Sequence, residues 1–129
     1  MSNLEHQIQR QSVRWFKYLQ YRQYAPLLIN VANGARRTVW EQRMAKEEGL
    51  TAGAPDLLLL LARKGYHSLA IEMKWERTEY KNGQAHVTRS YQSPAQKVWQ
   101  KAYEAAGGKY CVCRTFEEFR KIINDYTND

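Results

Sequence analysis

Apolar and polar positions recur at two different periods along this chain. Leu4, Ile8, Trp15 and Leu19 repeat at helical spacing and predict an amphipathic helix that runs to the break at Tyr24-Ala25-Pro26. Leu27 to Val31 reads as a first strand. A second helix is expected from about Val39 to Glu48, with Gly49 standing where a C-cap glycine belongs. Leu57 to Leu61 is a short apolar run, and from Ser68 to Met73 the residues Leu69, Ile71 and Met73 alternate with Ser68, Ala70 and Glu72. Both predict strands. Between them, Arg63-Lys64-Gly65 is a polar turn whose glycine can take positive φ, so the two runs are expected to form a tight antiparallel hairpin. Ser93 can cap, and Pro94 can begin, a helix that reaches Ala106 and stops at Gly107-Gly108. A strand from Lys109 to Arg114 follows. Thr115-Phe116-Glu117-Glu118 then has the spacing of a capping box and opens a closing helix through Tyr126. The order helix, strand, helix, strand, strand, helix, strand, helix predicts an α/β fold, a small mixed β-sheet flanked by helices.

One stretch stands outside that rhythm. Trp75 to Gln92 is polar, carries Lys81, His86 and Arg89, and contains Asn82-Gly83, a strong signal for a tight hairpin turn. It is expected to rise beside the residues considered next, as a flap that touches a bound partner or a second copy of the chain. A plain surface insertion is the competing reading.

The chemistry concentrates at the ends of the central hairpin. A turn centred near Lys64 brings Asp56 opposite Glu72 to within a residue or two of register. Side-chain alternation puts Glu72 and Lys74 on one face and Met73 on the other. Two carboxylates at close range repel unless something compensates them. A divalent cation does so, and oxygen ligands without a cysteine or histidine cage favour Mg2+, or Mn2+ in its place, over zinc. Such an ion makes water more acidic and offsets charge on a phosphate under attack. Lys74 could then orient or deprotonate the water, or steady the phosphorus. The bland alternative is an exposed ion pair at a strand end and an aspartate that caps a turn. His6, His67 and His86 lack metal-ligand spacing, and neither a glycine-rich phosphate loop nor a serine nucleophile elbow is present.

This constellation resembles the PD-(D/E)xK nucleases and, among them, the VRR-NUC family of small virus-type nucleases. Asn33-Gly34 with Arg36-Arg37, then Glu48-Gly49-Leu50 and Gly53-Ala54-Pro55-Asp56, are similar to the family's segment leading into its first catalytic strand. Glu72-Met73-Lys74 is similar to its second motif. Ser93-Pro94-Ala95-Gln96-Lys97-Val98-Trp99, Gly107-Gly108 and Tyr110 to Cys113 are similar to its S-x-x-Q-x-x-W helix and last strand. The resemblance implies a restriction-endonuclease-like core with the metal on Asp56, Glu72 and the Met73 carbonyl. It implies that Lys74 acts on the nucleophile, that Gln96 supports the site, and that Glu5 is the acidic residue supplied by the first helix. Arg36, Arg37, Lys81, Arg89, Ser93 and Lys97 are the candidate nucleic-acid contacts.

Several of these residues have second readings. Ser2-Asn3-Leu4-Glu5 is also a capping box, so Glu5 is a helix cap or a site residue. Gln96 lies in a first helical turn, where an exposed glutamine needs no function. Trp99 is read as core rather than as a stacking platform for DNA. Arg36 and Arg37 could clamp phosphate or simply begin a solvated helix.

Composition narrows the picture. With 129 residues, 43% of them hydrophobic, the chain suits one domain spanning 1–129. Twenty basic against thirteen acidic side chains give a net charge of +7, which favours a polyanionic partner. Cys111 and Cys113 are too close in sequence for an easy disulfide and too few for an iron–sulfur cluster, and they suggest a reducing, cytoplasmic setting. No apolar stretch approaches membrane-spanning length, and Met1 to Gln11 lacks signal-peptide character. The expectation is a Mg2+-dependent DNA endonuclease. By the resemblance it acts as a homodimer on branched DNA, in the manner of a Holliday-junction resolvase. Flap or nonspecific nicking, and a non-catalytic nucleic-acid-binding module, are the rivals.

Overall fold

A computed structural model describes residues 2–31 and 38–128 of the chain. In chain order the strands are β1 (Leu28–Asn30), β2 (Leu57–Leu59), β3 (Leu69–Met73), β4 (Glu76–Lys81), β5 (Gln84–Arg89) and β6 (Lys109–Cys113). The helices are α1 (Asn3–Arg14), α2 (Val39–Glu47), α3 (Pro94–Ala105) and α4 (Phe116–Thr127). The central sheet has the order β1-β2-β3-β6, while β4 and β5 pair with each other in a second, two-stranded sheet. β2 runs antiparallel to both β1 and β3, and β6 lies parallel to β3, so the sheet is mixed as expected.

The hairpin of β2 and β3 follows directly from its sequence. Leu57 faces Ile71 and Leu59 faces Leu69. Lys64 (φ 53°) and Gly65 (φ 84°) both take the left-handed conformation that a primed two-residue turn requires. The backbone N–H groups of Arg63 and Tyr66 each donate to the other's carbonyl, at 3.1 and 2.8 Å. β2 is shorter than the leucine run, because Leu60 turns outward and the chain leaves the sheet toward this turn.

Strand alternation then divides the sheet into two faces. Leu57, Leu59, Leu69, Ile71, Met73 and Cys113 point to one of them and are buried against Phe16, Tyr21, Phe119, Ile123 and Tyr126. Each such side chain contributes about 1.5–3 kcal/mol by leaving water. On the other face, α3 packs against β6 with Trp99 stacked on Tyr103 (4.8 Å between centroids) and tilted against Tyr110 (6.2 Å). That face carries Glu72.

The first helix departs from its expected length. After α1, the residues Trp15–Gln20 form a wide turn in which the Tyr21 N–H donates to the Phe16 carbonyl, five residues back, at 2.9 Å. The extra residue in the turn rotates the stripe. Phe16 and Tyr21 become the buried positions and Leu19 is left 65% exposed. A 3-10 segment, Arg22–Leu27, contains Pro26 and leads into β1.

Two loops fix the ends of the site. Gly53 (φ +84°) lies so close to the start of α3 that an added Cβ would sit 2.2 Å from the Ala95 carbonyl oxygen. The β4–β5 hairpin turns at Asn82 (φ 53°) and Gly83 (φ 75°), as Asn-Gly predicts. Apart from Glu76 at its base, its residues are exposed.

Candidate active site

The register of the central hairpin, continued by one residue beyond Leu57 and Ile71, sets Asp56 across from Glu72. Asp56 Oδ2 accepts a hydrogen bond from the Met73 N–H at 2.7 Å. In the parallel ladder it is Lys74 that donates to Cys113, so Met73 turns its backbone groups toward the β2 side. Pro55, next in the continued register, has no N–H to give the Met73 carbonyl. The carboxylate of Asp56 thus closes one half of a ladder position that proline leaves incomplete.

Glu72 is only 2% exposed. Its Oε1 accepts from Gln96 Nε2 at 2.8 Å and lies 3.7 Å from Lys74 Nζ, while Oε2 accepts from the Tyr110 hydroxyl at 3.4 Å. Burial, then the charge of Asp56 and a hydrogen bond with it, push the Glu72 carboxyl up to about 8, against the opposing pull of Lys74. Asp56 is raised as well, chiefly by burial, with the Met73 N–H opposing. Near neutral pH the protein's own groups therefore leave a proton on the pair, and Lys74 alone does not displace it.

Gln96 does two jobs in one conformation. Its Oε1 accepts from the Ser93 N–H at 2.8 Å, completing the capping box of α3, and this turns its amide nitrogen toward Glu72. Glu5 is equally double. Its Oε2 accepts from the Ser2 N–H at 3.1 Å as part of the α1 capping box, and its Oε1 accepts from the Trp75 N–H at 3.2 Å and the Ser90 hydroxyl at 3.3 Å. Its charge is felt at Asp56. Glu5 therefore caps α1 and also ties the start of that helix to Trp75 and Ser90.

Asp56, Glu72, Met73, Lys74, Gln96 and Glu5 are thus brought together. The remaining candidates are spread out. Ser93 is committed to capping α3, and Lys97 is exposed one residue beyond Gln96. Arg89 pairs with Glu76 at the base of the hairpin. Lys81 stands at its tip, roughly 20 Å along the strand from Trp75 at about 3.3 Å per residue. Arg36 and Arg37, with Asn33-Gly34, lie outside the described residues.

Sequence reasoning did not single out Tyr110, Gln92, Ser90 or Arg114. Gln92 Nε2 donates to the Tyr110 hydroxyl at 3.1 Å and to Gln100 Oε1 at 2.8 Å, which steadies the tyrosine under Glu72. Arg114 Nη1 donates to the carbonyls of Trp75 at 3.1 Å and Ser90 at 2.8 Å and ties the hairpin base to the sheet. The pairing of β6 beside β3 brings in Tyr110 and Arg114 and leaves no local mark, whereas the β4–β5 hairpin carries Ser90 back to Trp75.

The donor set suits a hard divalent cation. Two crowded carboxylates, both raised above their ordinary range by burial, gain from a charge that a proton now supplies in part. Among the described residues no three of His, Cys, Asp or Glu gather as a metal cluster. A carboxylate pair and one backbone carbonyl, completed by water and substrate oxygens, is the kind of partial shell that magnesium accepts.

No family model matches the sequence, and no curated protein matches it. A solved structure described as "VRR_NUC domain protein" shares the fold with a TM-score of 0.74 and 24% sequence identity, over 98% of this chain and 90% of that one. The mixed sheet flanked by helices is therefore the fold of that protein. No helix among the described residues is long and apolar enough to cross a membrane.

Proposed function

We propose that this chain is a metal-dependent endonuclease of the VRR-NUC type, hydrolysing DNA phosphodiester bonds with Mg2+, for which Mn2+ can substitute. The observation that carries the reading is the convergence of Asp56, Glu72 and Lys74 at the ends of two adjacent strands, with Gln96 fixed on Glu72. A module that only bound DNA would gain nothing from two crowded carboxylates, one of them buried, near phosphate.

Asp56, Glu72 and the Met73 carbonyl would hold the cation, which supplies acidity to the attacking water and neutralises charge on the phosphate. Met73 N–H and Gln96 Nε2 keep the two carboxylates in place by hydrogen bonds of 2.7 and 2.8 Å. Lys74, largely buried beside Glu72, orients the water and steadies the charge that grows on the phosphate oxygens as water adds and the sugar oxygen departs. Glu5 fixes the Trp75 N–H one residue beyond Lys74 and so sets the exit of β3.

The favoured substrate is branched DNA, a four-way junction cut by a homodimer. The resemblance and the commonness of two-fold assemblies support that step. Flap or nonspecific nicking uses the same site under another docking surface, and competition between substrates separates the two. The test is magnesium-dependent cleavage of a labelled four-way junction and a matched linear duplex by wild type, Glu72→Ala and Lys74→Ala. Paired cuts in the junction that both variants lose are expected. Cleavage of neither DNA by the wild type, or full activity in both variants, would overturn the proposal.

A further inference from the structure

Beside Glu72 on the same face of the sheet, the outer edge of β6 opens into a groove of about 530 Å3. Val112, directly across from Glu72 in the parallel register, forms part of its floor together with Ile122 of α4. Gln92, which holds the Tyr110 hydroxyl under Glu72, lines it too, so groove and site share a wall. Its volume falls within the roughly 300–1,000 Å3 of ligand pockets.

The walls are aromatic and basic. Tyr91 is 71% exposed, yet one face of its ring is backed by the Arg114 guanidinium at 5.5 Å. Arg114 is itself fixed by its bonds to the Trp75 and Ser90 carbonyls, so the ring rests on an anchored support and offers the remainder of its surface to solvent. Lys97 and Lys121 contribute two more positive groups. Lys121 pairs with Asp125 on the surface, an exposed contact that an anion can replace. The one carboxylate in the lining, Glu118, is turned to the Arg114 N–H at 2.7 Å.

An open aromatic ring among cations over an apolar floor is what single-stranded nucleic acid uses: the base stacks and the backbone meets the positive charge. A paired base inside a duplex cannot offer its face to the ring. We infer that this groove seats an unpaired nucleotide next to the scissile phosphate, its base against Tyr91 and its phosphate between Lys97 and Lys121. The inference rests on the nuclease reading for the position of the strand, and it requires that a base at the branch of the DNA open from its pair at the cut.

The test is fluorescence anisotropy of a labelled short oligothymidylate and of an equally long duplex, in EDTA so that no cleavage intervenes. Tyr91→Ala should weaken oligothymidylate binding about tenfold, within the stacking range of a single base, and change duplex binding less than about twofold. Tyr91→Phe should bind as wild type does. Lys121→Ala, far from the core, should lower the salt dependence of oligothymidylate binding by about one phosphate contact. Equal losses on both DNAs, no loss with Tyr91→Ala, or no oligothymidylate binding by the wild type would overturn the inference. Because the measurement needs no catalysis, an inactive wild type with an intact Tyr91 effect would retire the nuclease reading and the scissile phosphate with it, and leave the groove as a seat for an unpaired nucleotide.

Discussion

Gly53→Ala should damage the site from a position that carries no chemistry. Its new Cβ would meet the Ala95 carbonyl oxygen at 2.2 Å and the Gln96 nitrogen at 2.8 Å, so reaching ordinary contact demands that the start of α3 retreat by about 1.2 Å. The Gln96 to Glu72 hydrogen bond, now 2.8 Å, would then stretch past hydrogen-bonding range. Losing a hydrogen bond to a charged group removes about 1.5–3 kcal/mol, which is about a tenfold to hundredfold loss in cleavage rate if the bond holds Glu72 in its working position. The left-handed φ of +84° adds strain of about 1–2 kcal/mol in the folded state. Gly49→Ala is the matched control, with φ +110° and nothing within 4 Å of the added carbon. It should suffer the strain and keep the activity. Thermal melts and single-turnover cleavage of the same DNA, read for both variants at a temperature where both are folded, separate the two effects. If Gly53→Ala cleaves as well as Gly49→Ala, the packing of this loop does not position Gln96 and the reasoning fails.

Four further outcomes can be checked. Gln96→Ala should lower cleavage by about tenfold to hundredfold, and Gln96→Glu should lower it further, because it keeps the Ser93 N–H partner but sets a third carboxylate against Glu72; equal activity of Gln96→Glu and wild type would refute this. In EDTA the folded protein holds a Glu72 proton that the unfolded chain releases near 4.5, so this group's stabilisation is complete below that pH and is lost as pH rises through about 8. The span is worth on the order of a few kcal/mol, and melting temperatures of wild type and Glu72→Gln should diverge across it, whereas parallel curves would contradict the shift. Mn2+ binding by calorimetry should strengthen over the same window, since the ion replaces that proton. Removal of residues 81–88 should weaken DNA binding or change the oligomeric state, and unchanged cleavage with an unchanged oligomeric state would assign the hairpin no role.

The site's nucleus was legible because it depends on a short-range count. A turn near Lys64 limits which residues of β2 and β3 meet, and it brings Asp56 opposite Glu72 to within one residue of register. Asn82-Gly83 announced its turn in the same way. The wide turn after α1 was not legible, since the helical spacing of Leu4, Ile8 and Trp15 is the same whether or not an extra residue follows, and only packing against α4 selects Phe16 over Leu19. Tyr110 and Arg114 escaped for another reason. Their roles exist only once β6 lies parallel to β3, a partnership between segments some forty residues apart. Glu5 looked like a choice between cap and site because sequence spacing sees its bond to Ser2 and is blind to Trp75.

The shared duty of Glu5 and Gln96 has a consequence for how activity fades. Each holds the first turn of a helix with one oxygen and uses its remaining polar atom beyond that helix, Gln96 on Glu72 and Glu5 on the Trp75 N–H next to Lys74. First turns are the segments that open most cheaply, well before a sheet comes apart. Fraying of a single turn at the start of α1 or α3 would therefore release a site residue while the core stays folded. The working state of this protein is an ensemble property of two helix ends, and warming should silence it before the global melt is reached.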